Sequence, residues 1–292
     1  MNPVWSSIRR LRLTRNRVDD FKPTQAVKIV EGGVERLYPL YDFEKKYNFR
    51  MSTDTIPEEI TKHIETNLAR TNKRLVPATE INEEPIALVA YGPTLRDWWK
   101  QVHDFKYVMS MSGSHKFLLE RDIIPTWHAE IDYRERKAVH TKPSHPDVKY
   151  LMGSIVHQAT FDNVKDRDVT VWNIAIDGIT YPEGEIIVPS YWDIGQSAIL
   201  IARQLGFRNM SLFGYDYTFA VDSKDTHAGF HNGPPKNHVF VKTDGKFFFT
   251  SDSLARGVLS FEQLITDYPD VNLTMYGDGL LNAYMRKHFT HG

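Results

Sequence analysis

The stretch Ile86–Trp99, IALVAYGPTLRDWW, narrows the possible folds more than any other part of the chain. Ile86 to Ala90 is an apolar run of strand length, and Gly92-Pro93 ends it. Thr94, with Asp97 three residues on, has the spacing of a capping box that opens a helix. A strand that turns at once into a helix leaves backbone N–H groups aimed at one spot, where the helix dipole favours an anion. Gly92 permits close approach of a ligand, and Pro93 stands where a missing N–H costs nothing. The pattern points to a phosphate or nucleotide near residues 91–95. A purely structural helix start reads the same way.

Length and composition set the frame. A chain of 292 residues holds one large or two small domains, and 41% hydrophobic with 25% charged residues is ordinary for a globular protein. The formal net charge of −1 gives no global field for nucleic acid or an anionic membrane. One local exception is IRRLRLTRNRV, Ile8 to Val18, whose arginines would suit phosphates or lipid head groups, or equally a solvated helix face or arm. The chain has no cysteine, which excludes disulfides, thiolate catalysis and cysteine-ligated zinc. No apolar run approaches the roughly 20 residues that span a bilayer, and the N-terminus lacks a signal-peptide core, so a cytoplasmic location is expected.

The organisation changes near residue 80. Residues 1–80 read as an N-terminal extension without a sheet pattern; Thr53 to Leu75 has helical spacing at Ile56, Ile60, His63, Ile64 and Leu68, with Ser52 and Asp54 as caps. Residues 81–292 read as an α/β domain of the Rossmann-like kind, a mostly parallel sheet with flanking helices. Strands are expected at Phe105–Met111, His128–Ile131, Val148–Ile155, Val169–Ile174, Met210–Phe213 and Val271–Tyr276. A helix opened by Ser190 and Asp193 runs to a Gly206 cap, and a hairpin turns at Asp244-Gly245. Phe261–Thr266 and Gly279–His288 complete the helices.

In open parallel sheets ligands bind outside the carboxyl ends of the strands. Four features fall there together: the Tyr91–Thr94 turn, Asp132, the Gly214-Tyr215-Asp216-Tyr217 turn and the loop bearing His227 and His231. Asp132 and Asp216 would also serve simply to cap turns. As metal ligands the two histidines would need a third protein group, and AGFHNGPP is a loop sequence rather than a helix. A histidine on such a loop suits a general base, because its ordinary pKa lies near neutrality; a plain surface histidine is the competing reading.

The order of these motifs resembles the bacterial sialyltransferases that cap lipooligosaccharide, and the related motility-accessory-factor and hydroxymethylpterin diphosphokinase (MptE-like) families. Gly92-Pro93-Thr94-Leu95 matches their G-P-[ST]-L turn. Leu205-Gly206-Phe207, through Met210, Leu212 and Gly214 to Asp216, matches their later strand, and Gly195 matches the small residue opening the preceding helix. The histidine loop is Thr226 to His231, and Phe261 to Tyr284 resembles the end of the nucleotide-binding domain. The likeness covers residues 86–285.

The resemblance implies a single GT-A-type domain, a nucleotide-sugar donor, typically a CMP-sugar, and no metal. It implies donor contacts from Tyr91, Gly92, Pro93, Thr94, Ser112, Asp132, Ile194, Gly195, Tyr215, Tyr217 and Thr218, with Asp216 in the catalytic set. His231, which matches the sialyltransferase base, is the first candidate for the general base, and His227, which matches the His-Ala of the motility factors, is the second. The family's asparagine before the first glycine is Tyr91 here, and the tyrosine after G-x-D-[FY] is Thr218, which would pass leaving-group assistance to Tyr217, Thr218 or Lys224. The expected activity is therefore inverting, metal-independent glycosyl transfer to a hydroxyl on a glycan, a protein or a hydroxymethylated DNA base. A homo-oligomer is compatible with this. The rival activities are Mg²⁺-dependent pyrophosphoryl transfer from ATP, with Asp132 and Asp216 as ligands, and nucleotide binding without turnover.

Overall fold

The structure, a computed structural model, describes residues 25–31, 34–44, 58–220, 227–229 and 238–289. The arginine-rich start, the caps Ser52 and Asp54, Lys224 and His231 lie outside the described residues.

The principal sheet has eight parallel strands: β3 (Ile86–Val89), β4 (Tyr107–Met111), β5 (Trp127–Glu130), β6 (Lys149–Gly153), β7 (Asp168–Ile174), β8 (Ile187–Val188), β9 (Asn209–Phe213) and β12 (Asn272–Tyr276). Their spatial order is β12-β9-β3-β4-β5-β6-β7-β8. The chain steps outward from β3 to β8, then α5 (Ile194–Gln204) carries it back so that β9 joins the other side of β3. Strand order therefore reverses between β3 and β9, and a crevice outside their carboxyl ends is where sheets of this kind take ligands.

The run from Ile86 to Val89 is fully buried because both sheet faces are covered. Ile86 and Leu88 join the larger core with α5, α6 (Asp252–Asp267) and α7 (Leu280–Phe289). Ala87 and Val89 face the opposite cluster, with Leu95 of α2 (Leu95–Trp98) and Phe117 of α3 (Ser114–Leu119). Truncating Leu88 to alanine would cost about 2–5 kcal/mol.

The expected helix from residue 193 forms. Asp193 accepts the Gln196 amide N–H at 3.0 Å, and Gly206, at φ +97°, ends the helix in a Schellman motif, with Phe207 N–H on the Ala202 carbonyl at 3.0 Å. Asp244 and Gly245, both at positive φ, make the two-residue turn between β10 (His238–Thr243) and β11 (Lys246–Ser251).

Residues before 80 contribute more than the expected helix, α1 (Glu58–Arg70). β1 (Gln25–Glu31) and β2 (Val34–Asp42) form a hairpin, and β2 pairs in parallel with β10 to build a second, four-stranded sheet, β1-β2-β10-β11. One short one-turn helix follows β6, α4 (Gln158–Asp162).

Candidate functional site

The β3 and β9 turns meet at the point of strand reversal, and amides of the β3 turn are already engaged. Gly92 N–H donates to Gly214 O at 2.9 Å, Leu95 N–H to Gly92 O and Arg96 N–H to Pro93 O, each at 3.2 Å. Thr94 N–H donates to Asp216 Oδ2 at 2.8 Å and its hydroxyl to Asp216 Oδ1 at 2.5 Å. The anion expected at residues 91–95 is thus the protein's own carboxylate. The capping box fails for the same reason: Thr94 has helical backbone angles and makes no side-chain cap, because its hydroxyl is drawn to Asp216, 122 residues away.

Asp216 works here as a clasp. It is 1% exposed, and burial, with the charges of Asp278 and Asp97, pushes its carboxyl up to about 6 against the two Thr94 hydrogen bonds. Glycines surround it because nothing larger fits. A Cβ on Gly92 would stand 2.5 Å from Gly214 O, and one on Gly279 2.6 Å from the Asp216 backbone. Leu281 N–H also donates to Asp216 O, which ties in the turn after β12.

Tyr215 and Tyr217, expected as donor contacts, are buried and hydrogen-bonded inside the protein. Tyr215 donates its hydroxyl to Gly195 O at 2.9 Å and lies 3.5 Å from Met111 Sδ, joining the end of β4 to the first turn of α5. Gly195 is small because a Cβ would meet the Tyr215 ring at 3.0 Å. Tyr217 donates to Asp193 Oδ2 at 2.7 Å and receives Gln196 Nε2 at 3.0 Å. Burial raises the Asp193 carboxyl and both tyrosine hydroxyls. Thr218 donates to Phe249 O at 2.9 Å, so it too is committed internally.

What remains accessible at the rim lies beside this clasp. The Tyr91 ring rests over Gly113, next to Ser112, and over Gly229; a Cβ at either glycine would collide with it. Ala228 N–H donates to Tyr91 O at 3.0 Å, and Arg96 donates to the carbonyls of Ala228 and His227 at 2.7 and 3.0 Å. These bonds hold the 227–229 segment on the β3 turn, with the His227 ring 5.4 Å from that of Tyr91. Ser112 and Ile194 are half-buried, while Pro93 is buried.

Asp132 stands apart. It follows β5, so three strand spacings, roughly 14 Å, separate it from the β9 turn. It accepts Arg134 N–H at 3.0 Å and the Arg134 guanidinium; burial works to raise its carboxyl, and Arg134 outweighs that and holds it low. Beside it Glu130, 1% exposed, accepts from His140 Nδ1 at 2.9 Å and from Ile131 N–H at 2.9 Å, while burial lowers the Lys137 ammonium. This charged group was not legible in the sequence, although a glutamate closing a buried strand is a usable signal.

The family model described as 6-hydroxymethylpterin diphosphokinase MptE-like matches residues 58–222, more than half of the chain. The chain belongs to this family. Among solved structures it is similar to the MAf glycosyltransferase from Magnetospirillum magneticum AMB-1, with a TM-score of 0.58 and 17% identity over 77% of this chain. It spans only 38% of that protein's length. Two structures of a mammalian sialyltransferase, one in complex with Gal-beta-1-3GalNAc-ortho-nitrophenol, overlap more loosely. Their TM-scores are 0.36 and 0.38, with 11% and 10% identity; each covers 76% of this chain, and the chain covers 87% and 80% of them. No curated protein sequence matches. The MptE-like chain thus has the Rossmann-like α/β fold of a glycosyltransferase neighbour, as the motifs implied. No helix among its described residues is long and apolar enough to cross a membrane.

Proposed function

We propose that this MptE-like chain is an inverting glycosyltransferase. A nucleotide sugar, a CMP-sugar in the first instance, lies along the rim past Ser112 and Ile194 towards Asp132. The acceptor oxygen attacks the anomeric carbon, the bond from that carbon to phosphate breaks, and the nucleotide leaves with the electron pair. His227 takes the acceptor's proton. Arg134 and Lys137 meet the charge on the departing phosphate, a role that Tyr217 and Thr218 are too committed to fill. The acceptor is a hydroxyl of a glycan, a protein or a hydroxymethylated base.

The observation that carries this reading is the clamp of Arg96 and Tyr91 on residues 227–228, which keeps an imidazole at the point of strand reversal. The test is transfer from CMP-, UDP- and GDP-sugars in EDTA, for wild type and His227→Ala. Loss of about 10²- to 10⁴-fold with an unchanged melting temperature supports the base assignment. Full activity in the variant removes it.

Pyrophosphoryl transfer from ATP is the second reading, favoured by the family's description. Asp132 and Asp216 do not suit the Mg²⁺ it requires, being three strands apart and each already paired. Stabilisation by ATP rather than CMP, with activity abolished by EDTA, would favour this reading over glycosyl transfer.

A further inference from the structure

We propose that Glu59, His63 and His157 form a site for one divalent transition-metal ion of the zinc class, at the β5–β6 end of the rim, where His157 N–H donates to Asp132 O at 3.4 Å. Glu59 and His63 are one turn apart on α1 and share a face. Asn67, one turn further, donates to Ser154 O at 3.0 Å and Val156 O at 2.8 Å, which pins the loop after β6 beneath the helix and brings His157 to the pair. One ligand atom from each residue lies within 4.8 Å of the others, and His63 Nε2 is 3.6 Å from a Glu59 carboxylate oxygen. Ligands about 2.0–2.1 Å from a tetrahedral ion stand roughly 3.4 Å apart, so closure asks for movements of about an ångström. Glu59 is exposed and His157 half-buried, which leaves them room to make those movements.

An independent observation points to a ligand. His63 is 5% exposed, and its Nε2, turned towards this cluster, makes no hydrogen bond, the Glu59 carboxylate at 3.6 Å standing just out of reach. A buried imidazole nitrogen without a hydrogen bond needs a reason, and a lone pair reserved for a metal shared with that carboxylate supplies one. The neighbouring amide fits the same role. Gln158 Nε2 lies 3.3 Å from His63 Nδ1, while Gln158 Oε1 is buried without a partner. A half-turn of that amide sets Oε1 to accept the Nδ1 proton, the outer-shell bond that frees Nε2 to coordinate.

His157 gives up something in exchange. Its Nδ1 accepts Ala159 N–H at 3.1 Å as the cap of α4, so coordination means releasing that bond or turning the ring over. Two imidazoles and one carboxylate suit zinc, nickel or copper better than magnesium or calcium, and they leave a fourth position open.

The test uses the full chain without a polyhistidine tag, stripped with chelator and titrated with Co²⁺, followed by its visible absorption and then by displacement with Zn²⁺. One equivalent should bind with a tetrahedral spectrum that excess Mg²⁺ does not displace. His157→Ala should weaken binding more than about 100-fold, beyond the 10–100-fold expected for Gln158→Leu as an outer-shell change. His145→Ala, away from the cluster, should bind as wild type does. The surface change Glu59→Gln keeps the test decisive if His63→Ala fails to fold. Failure to bind one equivalent, or binding unchanged in the Glu59→Gln/His157→Ala double variant, overturns the site.

Discussion

At the β3–β9 end of the rim Asp216 is 1% exposed and both its oxygens are bound by Thr94; three strands away Asp132 keeps partial contact with water and pairs with the exposed Arg134. Both aspartates follow a core strand, and both look equally like ligands in the sequence. Their surroundings divide the work. A carboxylate with every neighbour inside the protein holds turns together, and Gly92, Gly277 and Gly279 are small to let it do so. A carboxylate paired with an exposed arginine can exchange its partner for a substrate at little cost, since such an ion pair contributes only about 0–1 kcal/mol.

Four measurements would break or sharpen this contrast. The largest effect is expected for Asp216→Ala, which leaves two half-buried Thr94 donors without their acceptor and a void at a buried side chain; chemical denaturation should show a loss of about 3–4 kcal/mol. A loss below about 1 kcal/mol would mean that Asp216 is no clasp.

The second is a pH comparison of wild type with Asp216→Asn. The folded carboxyl, at about 6, holds its proton more tightly than the unfolded one, whose ordinary value is 3.8. The stability this gives is present below about pH 4 and is lost as pH rises through 6. Relative to the asparagine variant, wild type should therefore weaken by up to about 3 kcal/mol between pH 4 and 7. His115, driven down to about 4 by burial, acts with the opposite sign, losing stability as pH falls below 6.5, and cancels in this difference.

The third is Gly92→Ala. Its Cβ meets Gly214 O and the Asp216 carboxylate, and a cost of about 2 kcal/mol should appear in the melting temperature. The smallest is Arg134→Ala, expected to shift stability by less than about 1 kcal/mol while raising the KM for the donor. An unchanged KM would remove the β5 end from the donor site.

The parallel sheet was legible because strands buried on both faces must be apolar runs, as in Ile86–Val89 and Met210–Phe213. The α5 boundaries were legible because Asp193 and Gly206 act within a few residues of themselves. The β1–β2 hairpin was missed: strands such as VERLYPLYD mix charge and aromatic rings without clean alternation, and their partner β10 lies some 200 residues on. The site was harder still. Nothing near Thr94 announces Asp216 as its partner, and nothing in G-Y-D-Y tells which tyrosines face inward. Glu59 and His63 carry a visible helical spacing, but His157 joins them only through the fold.

The most direct test of the proposed donor site is hydrogen–deuterium exchange of the full chain with and without saturating CMP. Slower exchange in the segments around residues 112–113, 132–137 and 194–195, with no change near 80–85 at the opposite end of the sheet, is the predicted result. Protection confined to other segments, or none at a concentration that binds, would contradict it.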